Sequence, residues 1–130
     1  MGPATRSIFV IEDDKLQREA MTLLVSAPGW VVRSFASAEE CLAALMHDRA
    51  DCIVADLYMP GMNGADFIEV LMARGMNIPV VVITGAGSDS PLVKRALEAG
   101  ARGVLAKSCP VEQVVQAVER ALRTTRGRTP

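Results

Sequence analysis

The chain has 130 residues, half of them hydrophobic, and a formal net charge of −1. That is about one domain's worth of chain with enough apolar content for a core, and too little charge to draw in nucleic acid or an anionic membrane. No apolar run approaches the roughly 20 residues of a spanning helix, the N-terminus has no signal-type apolar stretch, and Cys41, Cys52 and Cys109 are too widely spaced for a disulfide framework or a metal site.

Strand-like and helix-like segments alternate from end to end. Residues 1–6 are expected to be a disordered N-terminus or a cloning remnant. Ser7 to Ile11 is a short β-branched and aromatic run that leads into Glu12-Asp13-Asp14. A helix is predicted from Asp14 to about Ser26, with Leu16, Ala20, Leu23 and Leu24 at helical spacing, Asp13 or Asp14 as its cap and Pro28-Gly29 as its stop. Trp30 to Phe35 reads as the second strand. Ser37-Ala38-Glu39-Glu40 starts a helix with acids in its first turn and Cys41, Leu42, Leu45 and Met46 on its apolar face. Asp51 to Asp56 is the third strand, and Asn63 caps a helix to about Arg74, with Phe67, Ile68 and Leu71 inward and Gly75 as its end signal. Pro79 to Thr84 is nearly all β-branched, as expected of a strand covered on both faces. Gly85-Ala86-Gly87 is its loop, and Ser88 to Glu98 the next helix, with Pro91 in the first turn and Gly100 after the end. Gly103 to Ala106 is the fifth strand. Pro110 opens a last helix with Val111, Val114, Val115, Val118 and Leu122 as its stripe. Five strand–helix units with short loops imply a single α/β domain, a doubly wound parallel sheet of flavodoxin-like (βα)5 type with strand order 2-1-3-4-5.

In that order the carboxyl ends of strands one, three, four and five meet, and ligands bind at such an edge. The residues there are Glu12 and Asp13, Asp56, Thr84 and Lys107. Asp56 closes the apolar run Cys52-Ile53-Val54-Ala55 just before a turn at Pro60 and Gly61. Carboxylates suit Mg2+, a hard cation that takes oxygen ligands. A carboxylate beside a metal can attack phosphorus and become an acyl phosphate. A hydroxyl and an ammonium can hold the phosphoryl oxygens as charge shifts. Spacing alone therefore points to a metal-assisted phosphate site with Asp56 as candidate nucleophile.

With these residues in place the chain resembles the receiver domains of two-component response regulators. The match runs from about Ser7 to Arg123 and rests on five elements in order: Glu12-Asp13; Asp56 with Met59-Pro60-Gly61-Met62-Asn63-Gly64; Thr84 with small residues after it; Ala99-Gly100-Ala101; and Lys107. The resemblance implies that residues 7–123 form the receiver and 124–130 a basic tail or linker stub. It implies that Asp56 accepts a phosphoryl group from a phosphohistidine on a sensor histidine kinase or phosphotransfer protein. Mg2+ would be held by Glu12, Asp13, Asp56 and the backbone carbonyl of Tyr58. Thr84 would be the switch hydroxyl, and Lys107 would pair with phosphoryl oxygens. Phosphorylation would shift populations of the surface formed by the fourth helix, fifth strand and fifth helix, a face that also suits a homodimer. The output would be a partner protein or a DNA-binding domain. The receiver itself would touch neither nucleic acid nor membrane and would sit in a reduced, cytoplasmic setting. It would catalyse its own aspartyl phosphorylation and dephosphorylation yet serve as a signalling module.

Three positions depart from the common pattern. Val104 stands where an aromatic often couples to the switch hydroxyl. Ser108, not proline, follows Lys107, so a cis bond there is not expected. Glu12 replaces a more frequent aspartate. Singly, each site residue also has a plain reading: the acids of residues 12–14 as helix caps, Thr84 as a good β former, Lys107 as a solvated lysine. His47 suits a helix end, Met59, Met62, Met72 and Met76 suit packing, and Arg120, Arg123, Arg126 and Arg128 suit a solvated face. An aspartyl-phosphate hydrolase would want a second acid two residues after the nucleophile, where Tyr58 stands. A purely interacting receiver would not need the full set of acids, Thr84 and Lys107. A flavin binder would want a Gly- or hydroxyl-rich loop after the first strand.

Overall fold

Short β-branched runs followed by amphipathic helices leave the chain few ways to bury both. In a computed structural model, which describes residues 5–87 and 89–127 with side chains as far as 123, ten elements alternate. They are β1 (Ser7–Ile11), α1 (Lys15–Ser26), β2 (Val31–Phe35), α2 (Ala38–Leu45), β3 (Cys52–Asp56), α3 (Gly64–Ala73), β4 (Val80–Thr84), α4 (Pro91–Ala99), β5 (Gly103–Ala106) and α5 (Val111–Gly127). The five strands are parallel, in the order β2-β1-β3-β4-β5. This is the flavodoxin-like arrangement expected from the alternation.

Helices cover both faces. Phe9, Ile11, Ile53 and Val82 pack with Leu42, Phe67, Leu71 and Val93 from α2, α3 and α4. Ile8, Val10, Val54 and Ile83 pack with Val25 of α1 and with Val114, Val118 and Leu122 of α5. The central strands β3 and β4 are buried at every position, which is why their sequences show no alternation. β2 is an edge strand and is mostly exposed. Cys41 and Cys52 are in the core, and burial pushes each thiol up to about 12. They are packing residues without thiolate reactivity.

The helix ends show how local chemistry sets the boundaries. Asp14 caps α1 by accepting from the Gln17 N–H, and Ser37 caps α2. Asn63 and Asp66 form a reciprocal capping box on α3. Gly100 ends α4 in the left-handed region at φ 117°.

Three expectations are corrected. The stripe predicted for α1 is only partly right: Leu16 is 77% and Leu23 69% exposed, whereas Leu24 is half-buried and lines the cavity beside the sheet, and Val25, outside the stripe, is buried. Leu16, Ala20 and Leu23 do share a face at i, i+4 and i+7, but the sheet meets the opposite face through Met21 and Val25. α4 starts at Pro91, three residues after its predicted start, because a residue before proline avoids helical geometry. Met46 and Met72, expected to pack, are largely exposed.

α5 continues as helix to Gly127, into the segment expected as a tail. The readings made for residues 1–4, Ser88, the Arg126 side chain and Arg128 lie outside the described residues. No helix among the described residues is long and apolar enough to cross a membrane.

Polar side-chain contacts tie α4 to its surroundings at two residues, Arg95 and its cap Ser90, among those described. Arg95 pairs with Asp66 and Glu69 of α3. Ser90, at the N-cap, makes no side-chain cap bond. Its hydroxyl instead meets the Tyr58 hydroxyl at 2.6 Å.

Candidate functional site

Parallel strands deliver their last residues to one edge, so four turns supply the site. β1 ends at Ile11 and the chain passes into Glu12 and Asp13. β3 ends on Asp56, β4 on Thr84, and β5 is followed by Lys107. The edge is knitted by backbone bonds from Leu57 N–H to the Ile83 carbonyl at 2.9 Å and from Lys107 N–H to the Thr84 carbonyl at 2.9 Å.

These turns bring together most of the residues singled out from the sequence. Lys107 Nζ donates to Asp56 Oδ2 at 3.1 Å and lies 3.5 Å from Glu12 Oε1. One carboxylate oxygen each from Glu12, Asp13 and Asp56 lies within 4.8 Å of the others. Three hard oxygen donors so close together fit a small divalent cation such as Mg2+. Thr84 is buried, and its Oγ1 accepts from the Ala86 N–H at 2.9 Å. Tyr58 donates its backbone N–H to Asp56 Oδ1 at 3.3 Å, while its ring stands half exposed at the rim. Val104 pairs in register with Val82 of β4 and packs against the core on the α3–α4 side. No peptide bond among the described residues is cis, Lys107–Ser108 included.

Gly64 shapes the turn after Asp56. Its N–H donates to the Leu57 carbonyl at 2.8 Å. A Cβ there would lie 3.0 Å from Leu57 Cα and 3.1 Å from the Asp56 carbonyl oxygen, backbone atoms that cannot swing aside. Gly64→Ala is therefore expected to destabilise the fold by about 1–3 kcal/mol through overpacking, despite alanine's better helix propensity. A lowered urea midpoint checks it.

Charge at the site is unevenly solvated. Burial pushes the Glu12 carboxyl up; the Asp14 N–H opposes this, the Asp56 charge adds to it, and Lys107 partly offsets it. For Lys107, desolvation pulls the ammonium down, but the Asp56 hydrogen bond and the charges of Asp56 and Glu12 outweigh it, and the net shift is upward.

Because the folded-state Glu12 titrates above its ordinary 4.5, its ionised form costs stability. The cost is absent below that ordinary value and sets in as pH rises through the folded one. Glu12→Gln is accordingly expected to be more stable than the parent near pH 7 without metal, with the gap closing as pH falls towards about 4.5. Denaturant melts of both proteins across that range read it directly.

Two contacts at the site were not legible in the sequence. Gln17 of α1 accepts from Lys107 Nζ at 2.9 Å across 90 positions of chain. The Tyr58–Ser90 contact joins the turn after Asp56 to the start of α4. Neither has a local signal, since each depends on how helices sit on the sheet. Beside the carboxylates lies a cavity of about 270 Å³ between α1 and the sheet, walled by Val10, Val54, Ile83 and Met21 and bordered by Gln17 and Lys107.

The comparisons agree with this geometry. The family model for the response regulator receiver domain matches residues 8–119. The chain is 37% identical over 118 residues to the C4-dicarboxylate transport transcriptional regulatory protein DctD of Rhizobium meliloti, covering 91% of this chain and 25% of that protein. It is 35% identical over 120 residues to the transcriptional regulatory protein FixJ of Azorhizobium caulinodans, covering 92% and 56%. The chain thus spans between a quarter and just over half of these relatives. Among solved structures, FixJ-N superposes with a TM-score of 0.86 at 30% identity, covering 93% of this chain and 96% of that one.

Proposed function

Since the chain belongs to the family of response regulator receiver domains, we propose that it accepts a phosphoryl group on Asp56 from a phosphohistidine of a sensor kinase or phosphotransfer protein. The observation that carries this reading is the setting of Asp56. It is a buried carboxylate bonded to one ammonium and gathered with two more carboxylates at a sheet edge.

An Asp56 carboxylate oxygen attacks phosphorus. The new O–P bond forms as the P–N bond to the donor breaks, and that electron pair stays on the imidazole nitrogen. Lys107, already on Asp56 Oδ2, follows the charge onto the phosphoryl oxygens. Glu12, Asp13, Asp56 and the Tyr58 carbonyl are the residues that would hold Mg2+. When bound, Mg2+ supplies charge neutralisation between carboxylate and phosphoryl oxygens.

Thr84 is the switch hydroxyl. It gives up its bond from the Ala86 N–H and turns to the phosphoryl group, drawing the β4–α4 loop with it. The readout face is α4-β5-α5, which binds a partner, a second copy or an output domain. Val104 contributes packing to this switch in place of an aromatic rotamer. The longer relatives DctD and FixJ are transcriptional regulatory proteins, which supports an output in transcription. The exposed stripe of Leu16, Ala20 and Leu23 on α1 is an apolar surface that a protein phosphodonor would cover.

The test is intact mass after incubation with acetyl phosphate, with and without Mg2+. A Mg2+-dependent gain of one phosphoryl group is the expected result. No gain under either condition, together with no beryllofluoride-induced amide shifts at Thr84 and Lys107, sinks the reading.

A further inference from the structure

Three oxygens surround the Lys107 ammonium: Gln17 Oε1 at 2.9 Å, Asp56 Oδ2 at 3.1 Å and Glu12 Oε1 at 3.5 Å. An ammonium carries three protons, so donors and acceptors match in number. Two acceptors belong to the acidic cluster. The third and shortest contact comes from helix α1.

Gln17 is itself held at its root. Its backbone N–H donates to Asp14 Oδ1 at 3.0 Å, the cap of α1. Its side chain therefore leaves a fixed first turn and meets Lys107 at the border of the cavity under α1. Lys107 needs such an anchor, because its side chain is 36% exposed and its long stem is free to turn to water. An amide also suits the place. It accepts a hydrogen bond yet carries no charge, so it neither competes for a cation nor repels an incoming phosphoryl group.

We propose that Gln17 is a positioning residue for phosphoryl transfer, its Oε1 keeping the Lys107 ammonium aimed at Asp56 and at the phosphoryl group formed there. This rests on the reading given under Proposed function. Gln17 touches no reacting atom; it acts through Lys107.

The test uses Gln17→Leu, which keeps bulk and removes the acceptor. Carbon relaxation at Lys107 Cε in the metal-free chain reports how tightly the lysine is held. The initial rate of Asp56 phosphorylation by acetyl phosphate at saturating Mg2+ reports the consequence. In Gln17→Leu, Lys107 Cε is expected to become more mobile and the rate to fall roughly three- to tenfold, the worth of one hydrogen bond. Gln17→Glu, which restores an acceptor, returns the lysine's order. In a Lys107→Ala background, Gln17→Leu has no further effect on rate.

Unchanged Lys107 mobility in Gln17→Leu overturns the proposal. So does a loss of order with no loss of rate, or an equal loss of rate when Lys107 is already absent. A parent that takes up no phosphoryl group and shows no beryllofluoride-induced amide shifts refutes the reading of Asp56. The hold of Gln17 on Lys107 is then judged by the relaxation data alone.

Discussion

Asp56→Asn is expected to take up no phosphoryl group from acetyl phosphate under conditions in which the parent gains one. The substitution keeps the volume of the side chain but replaces an anionic oxygen nucleophile with a neutral amide. It also removes a charge from the cluster of Glu12, Asp13 and Asp56. The fold is expected to survive. Lys107 keeps Glu12 and Gln17 as partners, and Asp56 is a strand-end residue whose main-chain neighbour Leu57 retains its bond to Ile83. Intact mass of both proteins, with a thermal melt of each, reads the chemistry and the fold separately. An equal mass gain on the variant would move the acceptor to another residue.

Phe9→Ala is the substitution expected to cost the most stability, about 3–5 kcal/mol, as lost transfer energy plus an unfilled cavity. Phe9 is fully buried on a central strand. Its ring lies 5.0 Å from that of Phe35 at 54°, and the Arg33 guanidinium stands over both rings. The deletion therefore removes core volume, an aromatic pair and a cation–π contact together. A whole domain typically has about 5–15 kcal/mol to lose. The damage would reach the site, because β1 runs directly into Glu12 and Asp13. Urea unfolding of the parent, Phe9→Leu and Phe9→Ala should give a graded series. A loss for Phe9→Ala no larger than for Phe9→Leu would show that the neighbours collapse into the space.

Strand order and site were legible in the sequence for a physical reason. A strand buried on both faces is written as a continuous apolar run, and where Cys52–Ala55 or Val80–Ile83 stops, a polar residue must stand at the sheet edge. The same logic fails for α1. Its leucines at 16 and 23 keep perfect helical spacing, and spacing cannot tell a helix which way to face. Val25 and Met21 lie on the other side and pack with Val10, Val54 and the α5 residues Val114 and Val118. The start of α4 could have been read from Pro91 by the constraint proline puts on Ser90. The contacts of Gln17 with Lys107 and of Tyr58 with Ser90 could not, since they join residues whose proximity exists only after the sheet is assembled.

α4 is supported by contacts of two kinds. Val93 in its first turn and Ala96 in its middle are anchored in the core, and Arg95 straps it to α3. Its cap residue Ser90 is followed by a proline, makes no side-chain cap bond, and has a hydroxyl contact reaching over from Tyr58. A missing cap bond is worth about 1 kcal/mol, which is little more than thermal energy. In mechanical terms α4 is a beam clamped along its buried face, with a light polar catch at the cap residue on the side of the Thr84 loop. On the proposed switch, a displaced Thr84 loop would load that catch first, ahead of the apolar clamp of Val93 and Ala96.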